Sequence, residues 1–387
     1  MKRICFVSHA AYGAMRGGDH GQLGGVEKQT SLMARWFAAH GYDVSLVTWQ
    51  EGTDGDELAD GVSILKTCRR AAGIPGLRFF HPRWTTLNSA LARADADLYY
   101  HNCGEYITGQ VALWCGNNHR KFIYSVASDL DCYPHLPAMT NLRERLLYRY
   151  GLRRADAVIV QTNKQRQMLD RNFSVPSILV PMPCPGPSGV YKPPQPPEPK
   201  SFSVLWIGRI APVKRLEMLL QVASALPDFT FEVIGVPDID DSYSQTVLGQ
   251  AGTMKNVVLH GRVPREEMGQ YYRRAGLLCC TSSDEGFPNT FLEAWSYGIP
   301  VVSTVDPDGV IEERELGAAA GEWTRIVAFI LTLSAAPDIW QRMSINARRY
   351  FANTHAVGRV LPEFERVFLS VLDHEPQPEL ARSTSAG

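Results

Sequence analysis

The sequence predicts an α/β protein of two doubly wound units facing a central cleft, and three observations carry that expectation. Short apolar runs alternate with amphipathic stretches of about ten residues, the pattern of parallel sheets wrapped on both faces. The alternation breaks at PMPCPGPSGVYKPPQPPEPK, Pro181 to Lys200, where proline is too dense for a helix or a central strand, and then restarts. The chain of 387 residues is also too long for one ordinary core.

In the first unit the expected strands are Ile4–Ser8, Val44–Thr48, Val62–Leu65, Asp97–Tyr100, Phe122–Val126, Ala157–Gln161 and Ser177–Val180. Helical patterns fall at Val26–His40, Asn141–Tyr150 and Lys164–Asn172. After the break come strands Ser203–Ile207, Phe229–Ile234, Val257–His260, Leu277–Thr281 and Val301–Thr304. The helices there are Arg215–Leu226, Arg265–Ala275 and one from near Pro288 to Tyr297, stopped by Gly298 and Pro300. Helical stretches Trp323–Leu333, Ile339–Ala352 and Leu361–Leu372 close the pattern. The expected domains are therefore 1–182, a linker 183–201, a second unit 202–355, a helix 356–372 packing back on the first unit, and a disordered polar tail 373–387.

Apolar content of 45% and charged content of 20% exclude a disordered chain. A net charge of −1 gives no global bias towards nucleic acid, so none is expected as a partner. The eight cysteines include no C-x-x-C and read as free thiols in a reducing compartment. The opening run MKRICFVSHAAYGAM is short, contains Ser8 and His9, and reads as a first strand rather than a leader. The longest apolar run elsewhere, Ile326–Ala336, is too short to span a bilayer. A cytoplasmic location is expected, with peripheral attachment at the inner membrane face.

Chemistry concentrates at strand-to-helix turns. In VLWIGRIAPVKRLEMLLQVA the strand ends at Gly208, and Arg209, Lys214 and Arg215 crowd a helix N-terminus already made positive by its dipole. A bound anion, phosphate more readily than carboxylate, would resolve that conflict; side chains pointing into solvent are the alternative. The stretch DEGFPNTFLEAWSYGIPVV occupies the equivalent place and carries Glu285 and Glu293. Acidic residues near a helix start are favoured by the dipole alone, so sugar hydroxyl contact and simple helix stabilisation both stand. Gly24 and Gly25 precede the first helix and allow close backbone approach to a ligand, although no dinucleotide fingerprint or P-loop is present. His101 and His9 lie at strand ends, where a cleft role and a structural one both stand, and Asp129 in VASDLD either orients an acceptor hydroxyl or caps a turn. Arginines in CRRAAGIPGLRFFHPRW and RERLLYRYGLRR make either a solvated face or a docking surface for an anionic membrane or lipid phosphate.

Taken together, Gly24-Gly25-Val26-Glu27, IGRIAPVKRLEMLL and SSDEGFPNTFLEAWSYGIPVVST resemble the retaining glycosyltransferases of family 4 (glycosyl transferases group 1), over nearly the whole chain. The resemblance implies the GT-B fold of two Rossmann-like domains and transfer of a sugar from a UDP- or GDP-linked donor to an acceptor hydroxyl, without a cofactor or a metal. It implies that Arg209 and Lys214 bind the donor diphosphate, Glu285 the donor sugar and Glu293 the ribose. Gly25, Gly286 and Phe287 would offer backbone contacts, with Gly24, Gly208 and Asn289 completing the donor side. His101, Ser128 and Asp129 are the acceptor-side candidates. Many members carry a histidine where this chain has Ser128 and Asp129, so no catalytic-histidine role is carried over. The expected acceptor is a sugar, polysaccharide or lipid-linked oligosaccharide. A nucleotide-sugar epimerase of the same fold and a non-catalytic nucleotide-sugar-binding protein are the alternatives.

Overall fold

The structure, a computed structural model, describes residues 1–17, 24–187, 189, 192–198, 202–237 and 241–373. The expected tail from residue 374, and parts of the expected linker, lie outside the described residues. The chain forms two compact units, which do not meet at a single point in the sequence. The first comprises Met1–Ser125, Met139–Ile159 and the chain from Pro362; the second comprises Val126–Ala138 and Val160–Leu361.

The first sheet contains β1 (Arg3–Val7), β2 (Asp43–Thr48), β3 (Glu57–Ala59), β4 (Val62–Lys66), β5 (Leu98–Asn102), β6 (Lys121–Ser125), β7 (Ala157–Val160) and β8 (Ile178–Leu179). Among the described residues its order is β3-β4-β2-β1-β5-β6-β7-β8. From β4 to β7 neighbours are parallel, and the short β3 pairs antiparallel to β4. The accompanying helices are α1 (Tyr12–Arg16), α2 (Gly25–Ala39), α3 (Thr85–Ala94), α4 (Tyr106–Asn117), α5 (Leu142–Arg154) and α6 (Asn163–Phe173). The strands are buried on both faces, as a parallel sheet covered by helices requires.

The second unit holds β9 (Ser203–Ile207), β10 (Thr230–Ile234), β11 (Val257–Gly261), β12 (Leu277–Cys280), β13 (Val301–Ser303) and β14 (Gly317–Ala319). Their order is β11-β10-β9-β12-β13-β14, and the pairs are parallel. Helices α7 (Leu216–Ala225), α8 (Ser242–Thr253), α9 (Arg265–Arg274), α10 (Asn289–Ser296), α11 (Val310–Glu313), α12 (Trp323–Ala335) and α13 (Pro337–Thr354) accompany it, and α14 (Val357–Asp373) follows. Trp206, Trp295, Trp340 and Tyr272 fill its core, and Trp340 Nε1 donates to Gly276 O at 2.6 Å. From Pro362 onward α14 belongs to the first unit, where Phe368 stacks on Phe37 at 5.0 Å and Tyr42 donates to Glu365 at 2.7 Å. Among the described residues no helix is long and apolar enough to cross a membrane.

Two glycines set the closest helix contact of the first unit. A Cβ at Gly109 on α4 would stand 2.1 Å from Leu147 O, and one at Gly151 on α5 would stand 2.5 Å from Thr108 O. Each glycine accepts the backbone of the other helix, so α5 cannot turn about its axis without losing the fit. Gly151→Ala is expected to lower stability by about 1–3 kcal/mol through overpacking. Denaturant titration checks this: the midpoint falls while the slope stays unchanged.

Candidate functional site

In the second sheet the chain direction of build-up reverses between β9 and β12, which are neighbours though far apart in sequence. Ligands of open parallel sheets bind beyond the strand C-termini at such a switch point. The turns leaving these two strands are the two that the sequence singles out.

After β9, Gly208 N donates to Ile234 O at 3.1 Å, exposed Arg209 follows, and a 3₁₀ turn runs over Pro212–Lys214. Arg215 then takes a left-handed backbone, φ 48°, costly for a residue other than glycine, and α7 begins at Leu216. Its guanidinium does not join a cationic cluster: Nε donates to Thr281 O at 2.9 Å. The turn after β12 is sewn to the first by further bonds. Trp206 Nε1 donates to Thr281 Oγ1 at 3.0 Å, Thr281 Oγ1 donates to Lys214 O at 2.7 Å, and Ser283 N donates to Val213 O at 2.8 Å.

This stitching brings Lys214 and Glu285 into a direct ion pair, both side chains largely buried. Ser282 Oγ donates to the same Glu285 oxygen at 2.7 Å. A carboxylate with a cation and a hydroxyl on one oxygen is fixed in orientation, and the ammonium is held where the two turns meet. Glu293 has a different partner. It sits on α10 and accepts from the buried Tyr272 hydroxyl at 2.6 Å, and that phenol is pushed well above its ordinary pKa by burial and the carboxylate. Asn289 is the first residue of α10; the preceding Pro288 supplies no side-chain cap, and Phe291 N donates to Pro288 O at 3.1 Å. Phe287 is core, edge-on to Trp295 at 6.1 Å, which anchors the Gly286–Phe287 backbone.

Gly286 touches the other candidate segment. A Cβ there would lie 3.1 Å from Ala127 O and 3.2 Å from both Ser128 Cα and Gln165 Nε2. Ser128 caps a short 3₁₀ turn, accepting from Leu130 N at 3.2 Å, while Asp131 accepts from Ser128 N at 3.1 Å. Asp129 is buried and does no capping: it pairs with Lys164 at 2.6 Å and accepts from Gln165 Nε2 at 3.1 Å. Burial and neighbouring Asp129 raise the Asp284 carboxyl, partly offset by Lys164. The first N–H groups of α6 are met by Asp308, which accepts from Asn163 N at 2.6 Å and from Lys164 N at 3.0 Å. Lys164, Gln165, Ser282 and Tyr272 escaped the sequence reading. Lys164 alone had a signal, a basic residue in the first turn of a helix leaving a strand, the same broken rule that marked Lys214.

The remaining candidates stand in the first unit. Gly24 is the N-cap of α2 and Gly25 its first residue. His101 is the next-to-last residue of β5, beside β1 at the switch point of the first sheet, with Nδ1 2.8 Å from Val7 O. His9 stacks on Trp49 at 4.0 Å.

Two family profiles match the chain. "Glycosyl transferase 4-like domain" covers residues 24–185 and "Glycosyl transferases group 1" covers residues 191–349. The chain belongs to the family 4 glycosyltransferases of the GT-B fold. It is similar to the D-inositol 3-phosphate glycosyltransferase of Mycolicibacterium vanbaalenii, 28% identical over 201 residues that cover 46% of this chain and 44% of the relative. The corresponding Mycolicibacterium smegmatis protein is 26% identical, over 46% and 44%. The chain thus matches less than half the length of these curated relatives. In fold it resembles sucrose-phosphate synthase from Thermosynechococcus elongatus, with TM-score 0.78 and 17% identity over 96% of this chain and 99% of that one. It also resembles Anabaena HepE solved with UDP-glucose, with TM-score 0.71 and 15% identity over 96% and 100%.

Burial pushes His101 down to about 4 and His9 to about 3, from 6.5 for a free imidazole. Below pH 6.5 the unfolded chain therefore takes up protons that the folded chain refuses. The stability from neutral His101 is complete above that pH and falls by about 1.4 kcal/mol per pH unit as acid is added, until its folded pKa is reached. His101→Gln is expected to flatten the stability-against-pH slope in that window, read by denaturant titration.

Proposed function

We propose that the protein transfers a sugar from a nucleoside-diphosphate sugar to an acceptor hydroxyl, with retention at the anomeric carbon and without a metal. One observation carries the reading: a largely buried Lys214–Glu285 pair at the switch point of the second sheet, with Arg209 on the same turn. The ammonium already faces a carboxylate in the free protein, so an entering diphosphate offers it a second, stronger set of oxygens. Family membership and the UDP-glucose bound by a protein of similar fold support a nucleotide-sugar donor, UDP-linked or GDP-linked.

In the reaction the bond between the anomeric carbon and the β-phosphate oxygen breaks, and a bond to the acceptor oxygen forms on the same face. The acceptor proton passes to the departing phosphate, giving a glycoside and a nucleoside diphosphate. Arg209 and Lys214 stabilise the charge that grows on the leaving group, and the fixed dipoles around them need no rearrangement as it develops. Glu285, orientated by Lys214 and Ser282, accepts from donor-sugar hydroxyls, and Glu293, orientated by Tyr272, accepts from the ribose. The backbone at Gly286 and Phe287 contacts the donor in the second unit, and Gly24 and Gly25 are the donor-side candidates of the first. Ser128, Asp129 and His101 belong to the acceptor side. The acceptor is a sugar, polysaccharide or lipid-linked oligosaccharide, and the protein works in polysaccharide or glycolipid assembly as a peripheral protein on the cytoplasmic membrane face.

Lys214→Ala is expected to lower turnover by about 10²–10³-fold with its fold retained. A thermal-shift panel of UDP, GDP, ADP and NAD checks the site directly. Stabilisation by one nucleoside diphosphate, lost in Lys214→Ala, is the expected result; no shift, or a preference for NAD, sinks the reading. Separately, Tyr272→Phe leaves the Glu293 carboxylate without its hydroxyl donor. It should weaken nucleotide binding more than it changes turnover at saturating donor, seen as a rise in KM with kcat little altered.

A further inference from the structure

Helix α5 is amphipathic with an apolar stripe on its solvent side. Its inner face is fixed by the Gly109–Gly151 fit and by buried Tyr148 and Leu152, so the helix has one rotational setting. That setting turns Leu142, Leu146 and Tyr150 outward, 71%, 58% and 36% exposed, at the four-residue spacing that lines one helix face. The Arg143 guanidinium lies 3.6 Å from the Phe79 ring centroid and joins this stripe to the loop after β4. There Phe79 is buried while Ile74, Leu77 and Phe80 stand 70%, 63% and 55% exposed. Six of the fifteen large apolar side chains exposed among the described residues thus fall in two short segments joined by one contact. Scattered exposed leucines need no account, but a contiguous group does.

The charge within the two segments is one-sided, although exposed Glu105 precedes Tyr106, whose ring lies 5.4 Å from that of Phe79. Arg70, Arg78, Arg143, Arg153 and Arg154 are exposed beside the apolar group, and Glu144 is the one acidic residue in the two segments, although the whole chain carries a net charge of −1. We propose that the outer face of α5 and the Ile74–Phe80 loop form the surface by which the protein docks on an anionic lipid bilayer. Leucine, isoleucine and aromatic side chains enter the headgroup boundary while the arginines meet lipid phosphates, each class of side chain where its solvation is best. A basic protein-binding face is disfavoured, because the apolar stripe is flanked by arginines rather than ringed by mixed polar groups. The inference gives a place to the membrane association proposed above and rests on no assumption about the donor.

Co-sedimentation of the full chain with vesicles tests it, using phosphatidylcholine alone and phosphatidylcholine mixed with phosphatidylglycerol. The expected result is binding to the mixed vesicles, weakened by salt, and little to the neutral ones. The paired change Leu142→Ser with Leu146→Ser, and separately Arg153→Gln with Arg154→Gln, should each reduce the bound fraction's partition coefficient by about tenfold. Leu331→Ser, an exposed leucine of the second unit, should change nothing. No binding of the parent chain to mixed vesicles, or variants that bind as the parent does, overturns the proposal. The nucleotide thermal shift is read on the same variants. A retained shift with lost vesicle binding assigns the surface to the membrane alone. Normal vesicle binding with no nucleotide shift in the parent leaves this surface standing and removes the glycosyl-transfer reading instead.

Discussion

The second unit depends on the seam between the turns that leave β9 and β12. These turns come from segments about seventy residues apart in the chain, yet the strands are sheet neighbours and their exits run side by side. Main-chain and hydroxyl bonds close the seam: Trp206 to Thr281, Thr281 to Lys214 O, Ser283 N to Val213 O, and the Arg215 guanidinium to Thr281 O. Only then is an ammonium held against a carboxylate in a half-dry site. Breaking the buried Trp206–Thr281 bond would leave a donor unmet, at about 1–3 kcal/mol. The seam is therefore a continuous unit rather than a set of independent contacts, and the ion pair inherits its rigidity.

Glu285 and Glu293 illustrate how one residue type acquires two characters. The first faces a cation and a serine hydroxyl, the second a single buried phenol. A hydrogen bond to a charged acceptor is worth about 1.5–3 kcal/mol, so both are well held, but by different means. Glu285 shares one oxygen between a cation and a hydroxyl, whereas Glu293 is orientated by a neutral donor. The eight-residue spacing that links them in sequence is thus the distance from a turn to the second turn of a helix, with separate supports at each end.

Most strands were legible because parallel strands are short apolar runs bounded by turn residues, and most surface helices because their apolar positions recur with helical period. Helix α4 was not, since Ile107, Val111, Ala112 and Cys115 are buried along with Thr108, Gly109 and Gln110, and a helix buried nearly all round has no amphipathic signature. Arg209, Lys214 and Glu285 could be read as candidates because the signals for a strand end and a helix start are local. Their partners could not. Tyr272 lies on another helix, Asp129 meets Lys164 through a sheet crossover, and no spacing rule relates them. Arg215 was read as one more cation at a helix start. Its left-handed backbone and bond to Thr281 O follow from tertiary packing, which local propensity cannot report.

The Asp308 carboxylate at the start of α6 has a consequence for how the molecule assembles. Asn163 and Lys164 precede Asp308 by 145 and 144 residues, and Asp308 itself holds a left-handed backbone in the 3₁₀ turn that presents its oxygens. While the chain emerges from a ribosome, α6 can form its interior bonds long before that carboxylate exists, and its leading N–H groups are left to water. The cap is a contact of high sequence separation and carries the loop-closure cost of one. Thr162 Oγ1 meets Gln165 N locally, whereas Asn163 N and Lys164 N find their partner only when β13 and the turn after it have taken their places, which makes those two N–H groups natural reporters of assembly in the second unit.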